Sequence, residues 1–337
     1  MSRRSPHDDA VRRRQLLRAA LALPVASLAA NLAHAQALFV RPLRMIVPFA
    51  AGGPTDTMTR AMAPLLSEAL AQQVIVENRP GAGGNVAAAY VAASPADGHT
   101  LLIAGQAILA INKPLFGKLA YDPERDFAWI GMQGSLPNVL VANPEAIPAN
   151  TLGGLIELAR AKPGQVSYGS NGIGSLSHLT TEVMAAAAAV KLLHVPYQGA
   201  APQRTDLLSG RIGCSLIAAS TAVPLVKGSK LRALAVSTGA RSPALPDVPT
   251  LVESGFPMLD VPVWFAAVAP AATPAPQLAA LRAAFNAATN RPAYAGEMDK
   301  QLGTAVQMSP AEAEAMLARE RKVWADAVRT TGASATG

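Results

Sequence analysis

Phe49-Ala50-Ala51-Gly52-Gly53-Pro54-Thr55-Asp56 and Tyr168-Gly169-Ser170-Asn171-Gly172-Ile173-Gly174-Ser175-Leu176-Ser177-His178 decide how this chain is read. Each glycine-rich turn follows a short β-like run and opens a helix-like run. Glycine lets backbone N–H groups approach a ligand closely, and a helix start adds unpaired donors and a partial positive charge. Two such turns facing each other across a cleft would grip a small anion. No reactive side-chain set accompanies them. The pattern points to a carboxylate that is held rather than transformed.

The flanking sequence supplies the strands and helices that such turns need. Leu43–Phe49 reads as a buried strand, and Thr55 to about Gln72 reads as an amphipathic helix. Val74–Asn78 is the next strand. It leads into a third glycine-rich turn, Arg79–Asn85, and an alanine-rich helix to about Ala93. Thr100–Ala104 closes a strand–helix–strand–helix–strand series, the signature of a parallel sheet with helices on both faces. The pattern restarts at Val139–Ala142. A helix capped by Thr151 follows, then the second glycine turn, a helix over Leu176–Ala189, and strands at 192–197, around Cys214 and at 231–236. Val263–Pro270 reads as a return crossing, followed by helices at about 275–289 and 310–329 that pack back on the first unit, with a frayed tail from Thr330. The expected fold class is therefore α/β and two-lobed, with a ligand cleft between lobes at the strand C-terminal ends. The expected division is an export signal at 1–35, one lobe from 36–138 plus 263–337, and a second lobe from 139–262.

Charge and composition narrow the function. The 337 residues carry a net charge of +7, but the first 35 hold six arginines against two aspartates. The remainder has a net charge of only +3, which is no nucleic-acid footprint, and 4% aromatic residues are too few for a base-stacking surface. The basic stretch ending at Arg18, the uncharged run Ala19–Ala33 and the small-x-small site Ala33-His34-Ala35 read as a cleavable export signal. Arg13-Arg14 leaves the twin-arginine and general export routes both open. The expected location is the periplasm. Cys214 is the sole cysteine, so no internal disulfide forms, and its apolar surroundings mark it as a small buried hydrophobe. No histidine or cysteine spacing suits a metal, and no cofactor is expected.

Each turn has a plainer reading beside the ligand reading. Gly53 and Thr55 could donate to a carboxylate, or Thr55 or Asp56 could simply cap the helix. Asp56 would repel an anion, so it is expected to cap or to orient a water. Phosphate loops are excluded: Pro54-Thr55-Asp56 stands where a Gly-Lys-Ser/Thr is required, and neither turn gives the dinucleotide spacing. A hydrolase reading pairs Ser170 or Ser175 with His178, but no Gly-x-Ser-x-Gly elbow is present. A cap role for Ser175, with His178 bonded to the turn backbone, fits better. Tyr197 either enters the cleft or packs with its hydroxyl satisfied. Trp129, Trp264 and Trp324 are assigned to core or lobe contacts.

Taken together, Arg44–Asp56, Val74–Asn85, Asp97–Leu102, Tyr168–Leu179, His194–Pro202, Leu231–Val236 and Pro246–Thr250 resemble the periplasmic substrate-binding receptors of the tripartite tricarboxylate transporters, the Bug receptors. The resemblance covers about residues 40 to 330. It implies a Venus-flytrap receptor, type II-like, that holds a small carboxylate through backbone amides and waters and closes its lobes around it. It implies ligand contacts at Gly53, Thr55, Asp56, Asn85, Ser170, Gly174, Ser175 and His178. It also implies a membrane permease as partner and a monomer. A sensor kinase as partner, or a small hydrolase or isomerase using the same cleft, are the alternatives. Pro54 replaces a glycine of the family's first turn, which removes one N–H and stiffens the loop. Leu216–Ala219 lacks an acid that some members carry, which favours a plain carboxylic acid over an amino acid.

Overall fold

The computed structural model describes residues 38–332. The expected export signal and its cleavage site lie outside the described residues. Two five-stranded sheets form the two lobes. The first holds β1 (Leu43–Val47), β2 (Val74–Asn78), β3 (Thr100–Gly105), β4 (Phe127–Leu136) and β10 (Val263–Pro270), in the order β2-β1-β3-β10-β4. The second holds β5 (Asn138–Ala142), β6 (Ser167–Ser170), β7 (Leu193–Pro196), β8 (Cys214–Ala218) and β9 (Arg232–Val236), in the order β7-β6-β8-β5-β9.

The parallel reading holds for β1, β2 and β3 and for β6, β7 and β8. It fails for the rest: β10 runs antiparallel to both β3 and β4, and β5 antiparallel to both β8 and β9. The reason is the crossing. The chain leaves the first sheet along β4, turns at Pro137 into β5, and returns through Pro262 into β10.

Among the described residues ten α-helices flank the sheets: α1 (Pro54–Leu70), α2 (Asn85–Ala92), α3 (Asn112–Phe116), α4 (Leu152–Ala161), α5 (Leu176–Ala187), α6 (Ala200–Leu208), α7 (Ala219–Lys227), α8 (Ala275–Thr289), α9 (Pro292–Lys300) and α10 (Pro310–Thr331). Alternation along β1 feeds two cores. Met45 and Val47 join Met58, Met62 and Leu66 of α1, while Ile46 points to the opposite layer with Val91 and Trp264. Met58, Met62, Leu66 and Leu70 recur every four residues and are all buried, so α1 is held by one apolar stripe.

The late helices do more than cover the first lobe. Helix α8 packs on α1 and β4 as expected, but α10 also packs on α5 of the second lobe. Trp324 joins Ile111 and Leu115 of the first lobe and Leu176 and Leu179 of α5 in one apolar cluster. Helix α10 runs two residues past the expected end, to Thr331, and Gly332 closes it in the left-handed conformation. All three tryptophans are buried, as is Cys214.

Candidate ligand-binding site

The first turn joins β1 to α1. Gly53 is the N-cap in extended conformation and Pro54 occupies the first helical position, where its missing N–H breaks no helical bond. Asp56 is buried and fully occupied. It accepts from Gly52 N at 2.9 Å, from Arg60 Nε at 3.0 Å and from Asn78 Nδ2 at 2.9 Å. Burial alone would raise its carboxyl, but the bonds from Arg60, Gly52 and Asn78 outweigh that and hold it below the usual carboxylate value. Asp56 thus folds the turn back on itself. Among the described residues, nothing donates to or accepts from the N–H groups of Gly53, Thr55 and Asp56 or the Thr55 hydroxyl. These are the orphan donors of a helix start, beside a helix dipole.

The second turn joins β6 to α5, and its donors are mostly consumed. Ser175 is the N-cap: its Oγ accepts from His178 N at 3.3 Å and donates to Gly172 O at 2.7 Å. His178 Nδ1 accepts from Gly174 N at 3.3 Å. Ser170 Oγ accepts from Gly172 N at 3.2 Å and lies 2.7 Å from His194 Nε2. Asn171 N donates to Ser177 Oγ at 3.2 Å. The cap role for Ser175 and the backbone bond of His178 are as the sequence suggested. Tyr197 takes the satisfied alternative, donating to Asp206 Oδ2 at 2.9 Å.

His194 was the residue that sequence reasoning passed over. Strands β6 and β7 pair in parallel with Tyr168 opposite His194, so the two rings stack 4.9 Å apart. The His178 ring lies on His194 at 4.1 Å and 17°. Burial, and then the neighbouring His194, pull His178 down to about 4, and burial pulls His194 down to about 4. Both imidazoles are neutral at pH 7. The Tyr168 hydroxyl donates to Glu182.

The third turn is what the structure brings against the second. Asn85 Oδ1 accepts from Asn112 Nδ2 at 2.7 Å and from the Tyr121 hydroxyl at 2.8 Å, and Asn112 Nδ2 also donates to Gly83 O at 3.1 Å. Gly174 sits against this group with φ +81°. A Cβ there would lie 2.9 Å from Leu115 Cδ2 and 3.1 Å from both Asn112 Oδ1 and Phe116 Cε2. A Cβ on Gly83 would lie 3.2 Å from Ile173 O. Asn85 and Gly174 are therefore joined through Asn112, which the sequence did not single out. No hydrogen bond among the described residues joins the first turn to the second.

Ser170 and His194 are a serine–histidine pair, yet they lack the features of a nucleophile and base. Ser170 is wholly buried, and a histidine depressed to about 4 is a weak base at neutral pH. Cys214 is buried and its thiol is pushed up to about 12 by burial, the mark of an inert packing residue. Among the described residues no group of three His, Cys, Asp or Glu side chains could hold a metal ion, and no helix is long and apolar enough to cross a membrane.

A family model, tripartite tricarboxylate transporter family receptor, matches residues 58–332. The chain belongs to this receptor family. The receptor is 36% identical over 294 residues to protein BugT of Bordetella pertussis, covering 87% of this chain and 90% of that one. Among solved structures it resembles R. palustris Rpa4515 with adipate (32% identity, TM-score 0.80, 87% and 97% of the two chains). It also resembles MatC from Rhodopseudomonas palustris with bound malate (30%, TM-score 0.80, 86% and 99%) and the periplasmic binding protein BugD (31%, TM-score 0.80, 87% and 98%). The receptor is thus a solute-binding protein with the two-lobed fold of periplasmic binding proteins.

Proposed function

We propose that this receptor captures a small organic carboxylate in the periplasm by lobe closure and presents it to a tripartite tricarboxylate-type permease. The lobes are taken as 36–138 with 263–337, and 139–262, and the leader at 1–35 as the export signal. The observation that carries this reading is the start of α1. There, among the described residues, the N–H groups of Gly53, Thr55 and Asp56 and the Thr55 hydroxyl have no partner, at a helix N-terminus on a strand C-terminal end. Such a place favours an anion. Adipate and malate in two related structures support the ligand class. In this reading the first turn donates directly, while Ser170, Gly174, Ser175 and His178 shape the facing wall and Asn85 fixes the third turn beside it.

Thermal unfolding of the purified protein against mono-, di- and tricarboxylates tests the proposal. A ligand at 100 times its Kd adds about 2.7 kcal/mol of stability. One or more acids should raise the melting temperature, and Thr55→Val should lose most of the shift, because it removes the hydroxyl while keeping the shape. If no carboxylate shifts the transition, the ligand class is wrong.

A further inference from the structure

The two stacked histidines hold opposite ends of the second turn. His194 meets Ser170 where the turn leaves β6, and His178 accepts from Gly174 where it enters α5. Their rings lie 4.1 Å apart and nearly parallel, with Tyr168 on the far side of His194. The bond from Gly174 N–H fixes the His178 tautomer: Nδ1 must be bare, so the ring proton sits on Nε2. A second proton would have to go to Nδ1, which turns the acceptor into a donor facing another donor. It would also place a positive ring against the face of its neighbour.

We infer that His194 is a positioning residue for ligand binding: with His178 it forms a proton-sensitive brace that keeps the second glycine turn in shape only while both rings are neutral. The inference rests on the carboxylate-receptor reading for its consequence, which is weaker ligand binding in acid. The geometry of the brace stands without that reading. Burial supports it by keeping both rings neutral down to about pH 4. Charged groups on the elements near the stack have partners of their own. On α5, Glu182 accepts from Tyr168 on β6, and on β8 Cys214 is a buried thiol. On α6, Asp206 is held by Tyr197 and Arg211, and on α10, Asp326 is paired with Arg329. Lys113 on α3 is paired with Asp122 and Glu124.

The test is amide hydrogen exchange at Gly172 and Gly174, followed by NMR together with the imidazole nitrogen shifts, on the purified protein from pH 7.5 to 3. Exchange is corrected for its intrinsic pH dependence. Protection at Gly174 should fall at least tenfold in step with imidazole protonation, while amides of β1 keep theirs. His194→Phe keeps the stacked ring but cannot reach Ser170, so protection at Gly172 should already be lowered at pH 7.5, and His194→Gln should restore it. Constant Gly174 protection through the imidazole titration overturns the brace, whether or not any variant folds. Malate and adipate binding, measured at pH 7 and 3.5 for the parent and His194→Gln, then reads the consequence. Comparing the two proteins cancels the titration of the acids themselves. A parent that loses affinity in acid by a factor at least three larger than His194→Gln supports the inference, and equal losses overturn its ligand part. Failure of both acids to bind at either pH counts against the receptor reading, while the exchange result still decides the brace.

Discussion

Gly174→Ala separates the cost of backbone strain from the cost of bringing the lobes together. Gly174 has φ +81°, a region where an L-residue pays roughly 1–2 kcal/mol. That penalty applies wherever the turn is folded, so it lowers stability. The second cost arises only where the lobes meet. The new Cβ lies 2.9 Å from Leu115 Cδ2, 3.1 Å from Asn112 Oδ1 and 3.1 Å from Phe116 Cε2. The leucine tip can swing aside. Asn112 cannot, because its amide is pinned by Asn85 and Gly83 and the residue is wholly buried. Overpacking of this kind costs about 1–3 kcal/mol. Charged to the closed state alone, that weakens binding roughly 5- to 150-fold. Calorimetric titration with the carboxylate that gives the largest thermal shift, alongside urea unfolding without ligand, measures both parts. Unchanged affinity with a stability loss within the strain penalty would show that Gly174 and Asn112 do not meet in the bound state, and the closure reasoning would be refuted.

Three further outcomes follow from the buried charges. Asp56→Ala removes the acceptor of Gly52 N–H and one of the two acceptors of Asn78 Nδ2, the other being Phe49 O, and should cost about 1–2 kcal/mol in urea unfolding. Because the folded carboxyl sits below its ordinary 3.8, that stability is full above pH 3.8 and fades as pH falls through the lower folded value, so parent and variant should converge in strong acid. Glu320 on α10 is raised to about 7 by burial, with Oε1 accepting from Trp264 Nε1 at 2.8 Å and Oε2 without a partner. A raised carboxyl stabilises below 4.5 and loses that benefit as pH climbs to 7, so Glu320→Gln should gain roughly 3 kcal/mol at pH 8.5 and almost nothing at pH 4.5; equal midpoints at both values would mean that Oε2 finds a partner on ionising. His178, lowered from 6.5 to about 4, costs nothing above pH 6.5 and up to roughly 3 kcal/mol by pH 4, because the unfolded chain takes the proton first. His178→Asn, whose Oδ1 can take the place of Nδ1, should flatten that acid loss in unfolding curves taken from pH 7 to 4.

Periodicity made most of the elements legible. Strand β2 and helix α8 fall where the pattern placed them, and Thr151 caps α4 through Gly154 N at 3.1 Å. Strand β4 was missed because its composition answers to packing rather than to β propensity. A Cβ at Gly131 would lie 2.7 Å from Phe285 Cδ1, and one at Gly134 would lie 2.5 Å from Met298 Cε and 2.8 Å from Thr304 O. Glycines forced by close neighbours erase the alternation that marks a strand. In the site, two local facts were readable, a cap at Ser175 and a backbone bond for His178; the cap expected of Thr55 or Asp56 is not made, because Gly53 is the N-cap and Asp56 is held instead by Gly52 N, Arg60 and Asn78. What was not readable depends on register. His194 reaches Ser170 because β7 pairs beside β6 with His194 opposite Tyr168, and no local pattern fixes that pairing. Asn112 reaches Gly174 because α3 and the second turn meet across the two lobes, more than 60 residues apart in sequence.

The two turns share a composition but differ in what remains free. In the first, one side chain, Asp56, folds the loop by binding Gly52 N–H, which leaves the helix-start donors of Gly53, Thr55 and Asp56 open. In the second, Ser170, Ser175, Ser177 and His178 take up the N–H groups of Asn171, Gly172, Gly174 and His178, while among the described residues those of Ile173, Leu176 and Ser177 at the start of α5 also stay open. Under the proposed function this divides the work. Both helix starts offer N–H groups to the anion, and the second turn adds a wall whose shape depends on its internal bonds. The division has a mechanical basis in α10, whose Trp324 shares an apolar cluster with Leu176 and Leu179 of α5 and with Ile111 and Leu115 of the first lobe. The helix that carries the second turn is thereby seated on an element belonging to the other lobe. Under the proposed function, closure of the lobes would have to repack that cluster, which ties the second turn to α10.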